Sequence, residues 1–222
     1  MNSHESLAIP TRATRIFPLM ETFGFAAMVS WFIWQLQEDY RYSWIVFPIW
    51  LIASFMLNRD TPHTLGWRAD NLWSATKRAT LVFLPCAFAI VVVGRLVGGE
   101  QHAFQHVLLP SRFLGYMAFC LLQQVGLSSL VTNRLLAAID SPMRVSFISG
   151  LLFALLHWPN PVLVPLTFVG GALFACLFWK ERNVLPLVLW QTILGSLIWW
   201  AFPIAWHHSM RVGPGFYHFR GY

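Results

Sequence analysis

The residues of this chain that are able to do chemistry are polar groups set inside apolar stretches. Gln123 and Gln124 stand in Phe-Cys-Leu-Leu-Gln-Gln-Val-Gly-Leu-Ser-Ser, His157 follows Phe153-Ala-Leu-Leu, Asn160 lies between two prolines, and Gln191 sits in Val-Leu-Trp-Gln-Thr. An unpaired polar group in hydrocarbon is costly, so each should have a partner or a purpose. An imidazole passes protons, whereas a carboxamide only donates and accepts hydrogen bonds. Two readings of Gln123, Gln124, His157 and Gln191 stand open. They are interhelical hydrogen bonds worth about 0.6 to 2 kcal/mol each, or they line a pocket for a ligand or peptide.

Other constellations carry less. Ser128 or Ser129 with His157 would make a nucleophile and its base, but Gly126-Leu-Ser128 completes no nucleophile motif and serine is common at helix contacts because it is small. His102 and His106 stand four apart and, with His207, His208 and Glu100, form a candidate metal group; loop histidines are the plainer reading, since no further carboxylate is suitably spaced. Cys86, Cys120 and Cys176 lack paired spacing and read as packing residues. Glu21, the one acid deep in an apolar run, either faces a neighbouring helix or snorkels, with no catalytic role assigned.

These positions need a scaffold, and composition says which. Of 222 residues, 57% are hydrophobic and 11% charged, and mean hydropathy is +0.56. The expectation is an all-α, polytopic membrane bundle of about seven spanning helices, over 16–36, 43–57, 79–98, 113–135, 145–158, 161–179 and 184–206. Residues 1–15 form a cytoplasmic segment and 207–222 an extramembrane tail. The fifteen Lys and Arg are scattered through short connections, which argues for topology and against nucleic acid. Richer connections (Arg12 and Arg15; Arg59, Arg68, Lys77 and Arg78; Arg134 and Arg144; Lys180 and Arg182) alternate with poorer ones. The positive-inside rule then puts the amino terminus in the cytoplasm and the tail outside, most simply in a cytoplasmic (inner) membrane. Eight of the tryptophans fall near predicted helix ends, where indole favours the headgroup level. At about 1.5 Å per residue, Gln123 lies about 17 Å deep, His157 about 20 Å and Gln191 about 13 Å, within reach of one cavity.

The order of these motifs resembles the CPBP family, the CAAX-protease and bacteriocin-processing membrane proteins, over about residues 60–200. Its members carry Glu-Glu-x-x-x-Arg, then Phe-x-x-x-His, then His four residues before Asn or Asp, on successive core helices. Phe153 and His157 keep the second motif, Asn160 with its flanking prolines is similar to the family, and Leu65-Gly66-Trp67-Arg68 is similar to its Leu-Gly-Leu-Arg element. The resemblance implies glutamates that activate water for attack on a peptide bond, with histidine and asparagine steadying the oxyanion. Here the glutamate positions are Gln123 and Gln124, the arginine position is Ser128, and the last motif reads Gln191 with Gly195. Loss of a general base alone costs about 100- to 10,000-fold. The degenerate site of Gln123, Gln124, Ser128, His157, Asn160 and Gln191 therefore points to a non-catalytic family member that binds or stabilises another transmembrane protein in the bilayer, with no cofactor. The alternative is an intramembrane endopeptidase acting on membrane-anchored polypeptides. The Gly-, Pro- and aromatic-rich tail suits a segment that orders against a partner.

Overall fold

The computed structural model describes residues 12–98 and 110–219, and the described residues contain helices and no strand. The helices are α1 (Arg12–Trp31), α2 (Val46–Leu57), α3 (Leu72–Leu96), α4 (Pro110–Gln124), α5 (Asn133–Ala138), α6 (Pro142–Leu155), α7 (Leu163–Glu181), α8 (Leu185–Ala201), α9 (Ile204–His207) and α10 (Pro214–Tyr217). A π-helical turn, Phe32–Leu36, extends α1, and a second, Val125–Thr132, joins α4 to α5. Four segments are long and apolar enough to cross a membrane: Arg15–Leu36, Leu72–Leu96, Arg112–Ala138 and Leu163–Glu181. Tyr42–Leu57, Pro142–Leu155 and Leu185–Ala201 are apolar but shorter.

The departures from the expected spans have local causes. The third begins at Leu72 rather than 79, because Lys77 and Arg78 stay in the helix, Arg78 pairing with Glu181 at the end of α7. The fifth runs from Pro142 to Leu155 rather than 145 to 158, because Ser141 caps it by accepting from the Arg144 N–H, with Pro142 at the first helical position. The seventh stops at Ala201 instead of 206, since Phe202 precedes Pro203 and takes an extended conformation.

Two cores fill the bundle. Phe83, Phe174, Phe178 and Trp190, from α3, α7 and α8, belong to one, together with Cys120 of α4 and Phe153 of α6; Phe25, Phe47, Leu130, Leu135 and Val145 belong to the other, from α1, α2, α5, α6 and the π-helical stretch. α6 and α7 cross at Gly150 and Gly171: a Cβ on Gly150 would lie 2.5 Å from the Phe168 carbonyl oxygen, so only a small residue allows this approach. Outside, Leu81, Phe88 and Leu96 are 77%, 71% and 81% exposed, an arrangement that hydrocarbon stabilises and water does not. The protein is an integral membrane protein.

The loop holding Leu65-Gly66-Trp67-Arg68 is tied to the turn between α7 and α8 and to the π-helical stretch. Ser129 donates to the Leu65 carbonyl at 2.6 Å, Val184 N–H to the Gly66 carbonyl at 2.9 Å, and Asn183 to the Arg68 carbonyl at 2.8 Å. Gly66 has φ +84°, and a Cβ there would press on the Phe178 ring, which accounts for glycine in that element.

Candidate functional site

α4 brings Gln123 and Gln124 to the bundle interior just where its turns loosen. In the π-helical stretch that follows, Gly126 to Thr132 are all buried, and the Thr132 hydroxyl donates to the carbonyl of Leu127, five residues back, at 2.8 Å. Such turns let consecutive residues face inward where an α-helix would rotate some away. Gln124 is fully buried. Its nitrogen donates to Gln191 Oε1 at 2.7 Å, the Gln191 nitrogen donates to Gln123 Oε1 at 2.5 Å, and the Ser128 hydroxyl donates to Gln124 Oε1 at 2.8 Å. The result is one directed chain, Ser128 to Gln124 to Gln191 to Gln123, in which every carboxamide oxygen accepts a bond. Neutral amides satisfy one another this way; two carboxylates at Gln123 and Gln124 would leave the Gln191 oxygen facing an anion.

His157 is held separately. Its Nδ1 lies 2.7 Å from the Phe153 carbonyl, and the two rings meet edge to face at 4.7 Å between centroids. That bond puts the proton on Nδ1 and leaves Nε2 as an acceptor. The Phe-x-x-x-His spacing thus has a local reason, since residue i+4 reaches the carbonyl of residue i at a helix end.

Gln123, His157 and Gln191 line one cavity of about 620 Å³ between the two cores, walled by residues such as Phe25, Phe83, Phe119 and Phe174. Gln124 and Ser128 lie behind that wall. Asn160 is elsewhere in its contacts: its Oδ1 accepts from the Val162 and Leu163 N–H groups at 3.1 and 3.0 Å, capping α7, and its nitrogen donates to the carbonyls of His207 and Arg211. It organises backbone and does not reach the glutamines.

The serine nucleophile is not assembled, because Ser128 is spent on Gln124 and Ser129 on the Leu65 carbonyl, while His157 is turned to Phe153. Glu100, His102 and His106 lie outside the described residues. His207 is buried, its Nε2 3.1 Å from the Phe202 carbonyl and its Nδ1 accepting from Met210 N–H, and His208 stacks on Phe216. Among the described residues no three His, Cys, Asp or Glu side chains gather at a metal-binding spacing, and the three cysteines are free thiols.

Tyr116 is the site residue that sequence reasoning missed. A Cβ on Gly195 would overlap the Tyr116 hydroxyl, so the phenol fills the room beside α8 that a side chain at position 195 would need. The signal was available: Tyr116 precedes Gln123 by seven residues, on the same face of α4. Glu21 proves to be a packed partner and does not snorkel. Its Oε2 lies 2.9 Å from Arg134 Nε, Ser54 donates to its Oε1 at 2.6 Å, and Arg134 also meets Asp60 at 2.5 Å, all three ionic side chains being at most 11% exposed.

Residues 15–197 match the family model of the type II CAAX prenyl endopeptidase Rce1-like proteins. The chain belongs to that family. The match spans every glutamine of the directed chain, Phe153, His157 and Asn160, and reaches back from residue 60 to take in α1 and Glu21 as well. It ends before the segment that follows α8. No curated protein and no solved structure matches the chain.

Proposed function

We propose that this Rce1-like protein is a non-hydrolysing member of its family, which uses the cavity to hold an apolar, membrane-embedded part of a partner and thereby stabilises a membrane complex. The observation that carries the reading is the Ser128–Gln124–Gln191–Gln123 chain. Where the family motif has acids, this site has amides that satisfy one another and offer no basic oxygen to a water. The cavity has the size and apolar character of a ligand site, about 300 to 1,000 Å³ being usual, with Gln123, His157 and Gln191 among its few polar groups.

The second reading is an endopeptidase acting on membrane-anchored polypeptides, favoured by family membership and by the free Nε2 of His157. It needs a base other than the missing glutamates. Purification of the tagged protein from its native membrane in a gentle detergent, with mass spectrometry of what stays bound, separates the two. A partner retained at constant ratio is expected. A trapped peptide that shortens on incubation, and is spared by His157→Ala, would favour the endopeptidase. The cytoplasmic membrane, with the amino terminus inside and residues after α8 outside, is the setting we assign from the Lys and Arg distribution.

A further inference from the structure

The segment that follows α8 takes part in the cavity. At the end where α3, α6 and α8 finish, Met210, Arg211 and Val212 join Ile33 and Gln37 in its lining. Residues 202–219 thus form a strap along that end of the cavity, and the strap lies beyond the stretch that matches the family. Four attachments hold it. The Asn160 nitrogen donates to the His207 and Arg211 carbonyls at 2.8 and 2.9 Å, Gly213 N–H donates to the Trp158 carbonyl at 2.9 Å, and His218 Nδ1 lies 3.0 Å from Glu38 Oε2. Gly213, at φ +57°, packs so tightly that a Cβ there would come 2.6 Å from the Ile33 side chain. The sequence-based expectation of a tail free to order on another protein gives way here to a segment ordered on its own chain.

The strap also brings charge to the cavity lining. Arg211 is exposed, its guanidinium lies 5.6 Å over the Phe219 ring, and among the described residues no carboxylate forms an ion pair with it. Glu38 and Arg211 flank Gly215, but the carboxylate is turned to His218. A second arginine, Arg112, lines an adjoining hollow that shares Tyr116, Phe119, Gly195 and Met210 with the cavity. An apolar interior with an arginine in its lining is complementary to an apolar chain that carries an anion.

We propose that cavity and strap together bind a single-chain amphiphile with an anionic head, the chain lying between Phe25, Phe83 and Phe174 and the carboxylate or phosphate meeting Arg211. The proposal rests on the non-hydrolysing, cavity-binding reading above and names its ligand class. The test uses the full-length protein in neutral detergent with three probes of equal chain length: a fatty acid, an alkyl phosphate and the corresponding alcohol. Bound probe is counted by mass spectrometry.

Both anions are expected to be retained about tenfold more tightly than the alcohol at low salt, a charge-assisted hydrogen bond being the difference. The tighter anion identifies the head. Arg211→Gln should remove most of that advantage and leave the alcohol unchanged. Gly170 lines the cavity, and a Cβ there meets only the Phe174 ring, at 3.7 Å, so Gly170→Leu should fill the space and weaken all three probes. Ala89→Leu, on an exposed lining position, serves as a second filling variant if the first does not fold. Equal retention of alcohol and anions, with Arg211→Gln silent, overturns the head-group site and leaves the cavity reading intact. Full retention in both filling variants overturns the location. Cleavage of a membrane peptide by the same preparation would instead remove the non-hydrolysing reading on which the proposal stands.

Discussion

Two buried polar clusters cross this bundle, and they solve the problem of polarity in an apolar setting by different means. Glu21, Arg134 and Asp60, with Ser54 and Asn58, form a charged cluster between α1, α2 and α5. Ser128, Gln124, Gln191 and Gln123 form a neutral one between α4 and α8. Where the fold needs anchoring, full charges are retained and paired. Where the family motif places acids for chemistry, the chain keeps hydrogen bonds and gives up charge. Both clusters preserve the fold's polarity; we propose that the second preserves it without the site's reactivity.

The comparison is sharpened most by removing charge from the first cluster. Arg134→Ala would leave two buried carboxylates facing each other without their cation, and should cost about 3–5 kcal/mol of stability, seen as a large drop in the thermal unfolding midpoint in detergent. A drop no larger than that of an exposed arginine would mean the cluster is hydrated and the contrast false. Next in size is the contact beside α8. Gly195→Ala should cost about 1–3 kcal/mol by driving a methyl group into Tyr116, and Tyr116→Phe in the same chain should recover part of it, a coupling that a double-mutant cycle measures.

The neutral cluster should answer more weakly. Gln191→Leu removes both links of the amide chain and is expected to cost about 1–2 kcal/mol, well below Arg134→Ala; an equal loss would erase the distinction between the clusters. The smallest effect belongs to the surface. Through a hydrogen bond first and its charge second, the Arg68 guanidinium holds the exposed Asp70 carboxyl below the usual carboxylate range. A lowered folded pKa contributes stability above the ordinary carboxylate value that disappears as pH falls through the folded one. Asp70→Asn should therefore differ slightly from the parent at neutral pH and coincide with it in acid, in unfolding curves taken at the two pH values.

Much of the architecture was legible in the residues, for reasons that differ from element to element. Uninterrupted apolar length announced α3 and α7, whereas the ends of α6 and the end of α8 were misplaced because they depend on the Ser141 cap and on Phe202 before Pro203. The family was legible in Phe153 and His157, whose spacing is a local hydrogen bond, and in Leu65-Gly66-Trp67-Arg68, whose glycine has a positive φ. The partners of the glutamines were not legible, because Gln124 and Gln191 are 67 residues apart and their meeting depends on how α4 and α8 pack. Asn160 was grouped with the site on its motif alone, yet its side chain caps a helix and holds the strap. The strap itself was hidden by composition: glycine, proline and aromatic residues without helical periodicity read as a loose tail, and their contacts with Trp158, Asn160 and Glu38 are all tertiary.

The central claim is that amides in place of acids leave this family member unable to hydrolyse. It is tested most directly by incubating the purified protein, in bilayer or detergent, with a prenylated CAAX peptide and following the peptide mass over time. The account predicts an unchanged peptide, in the parent and in His157→Ala alike. A shortened peptide that forms with the parent and is lost in His157→Ala would contradict it.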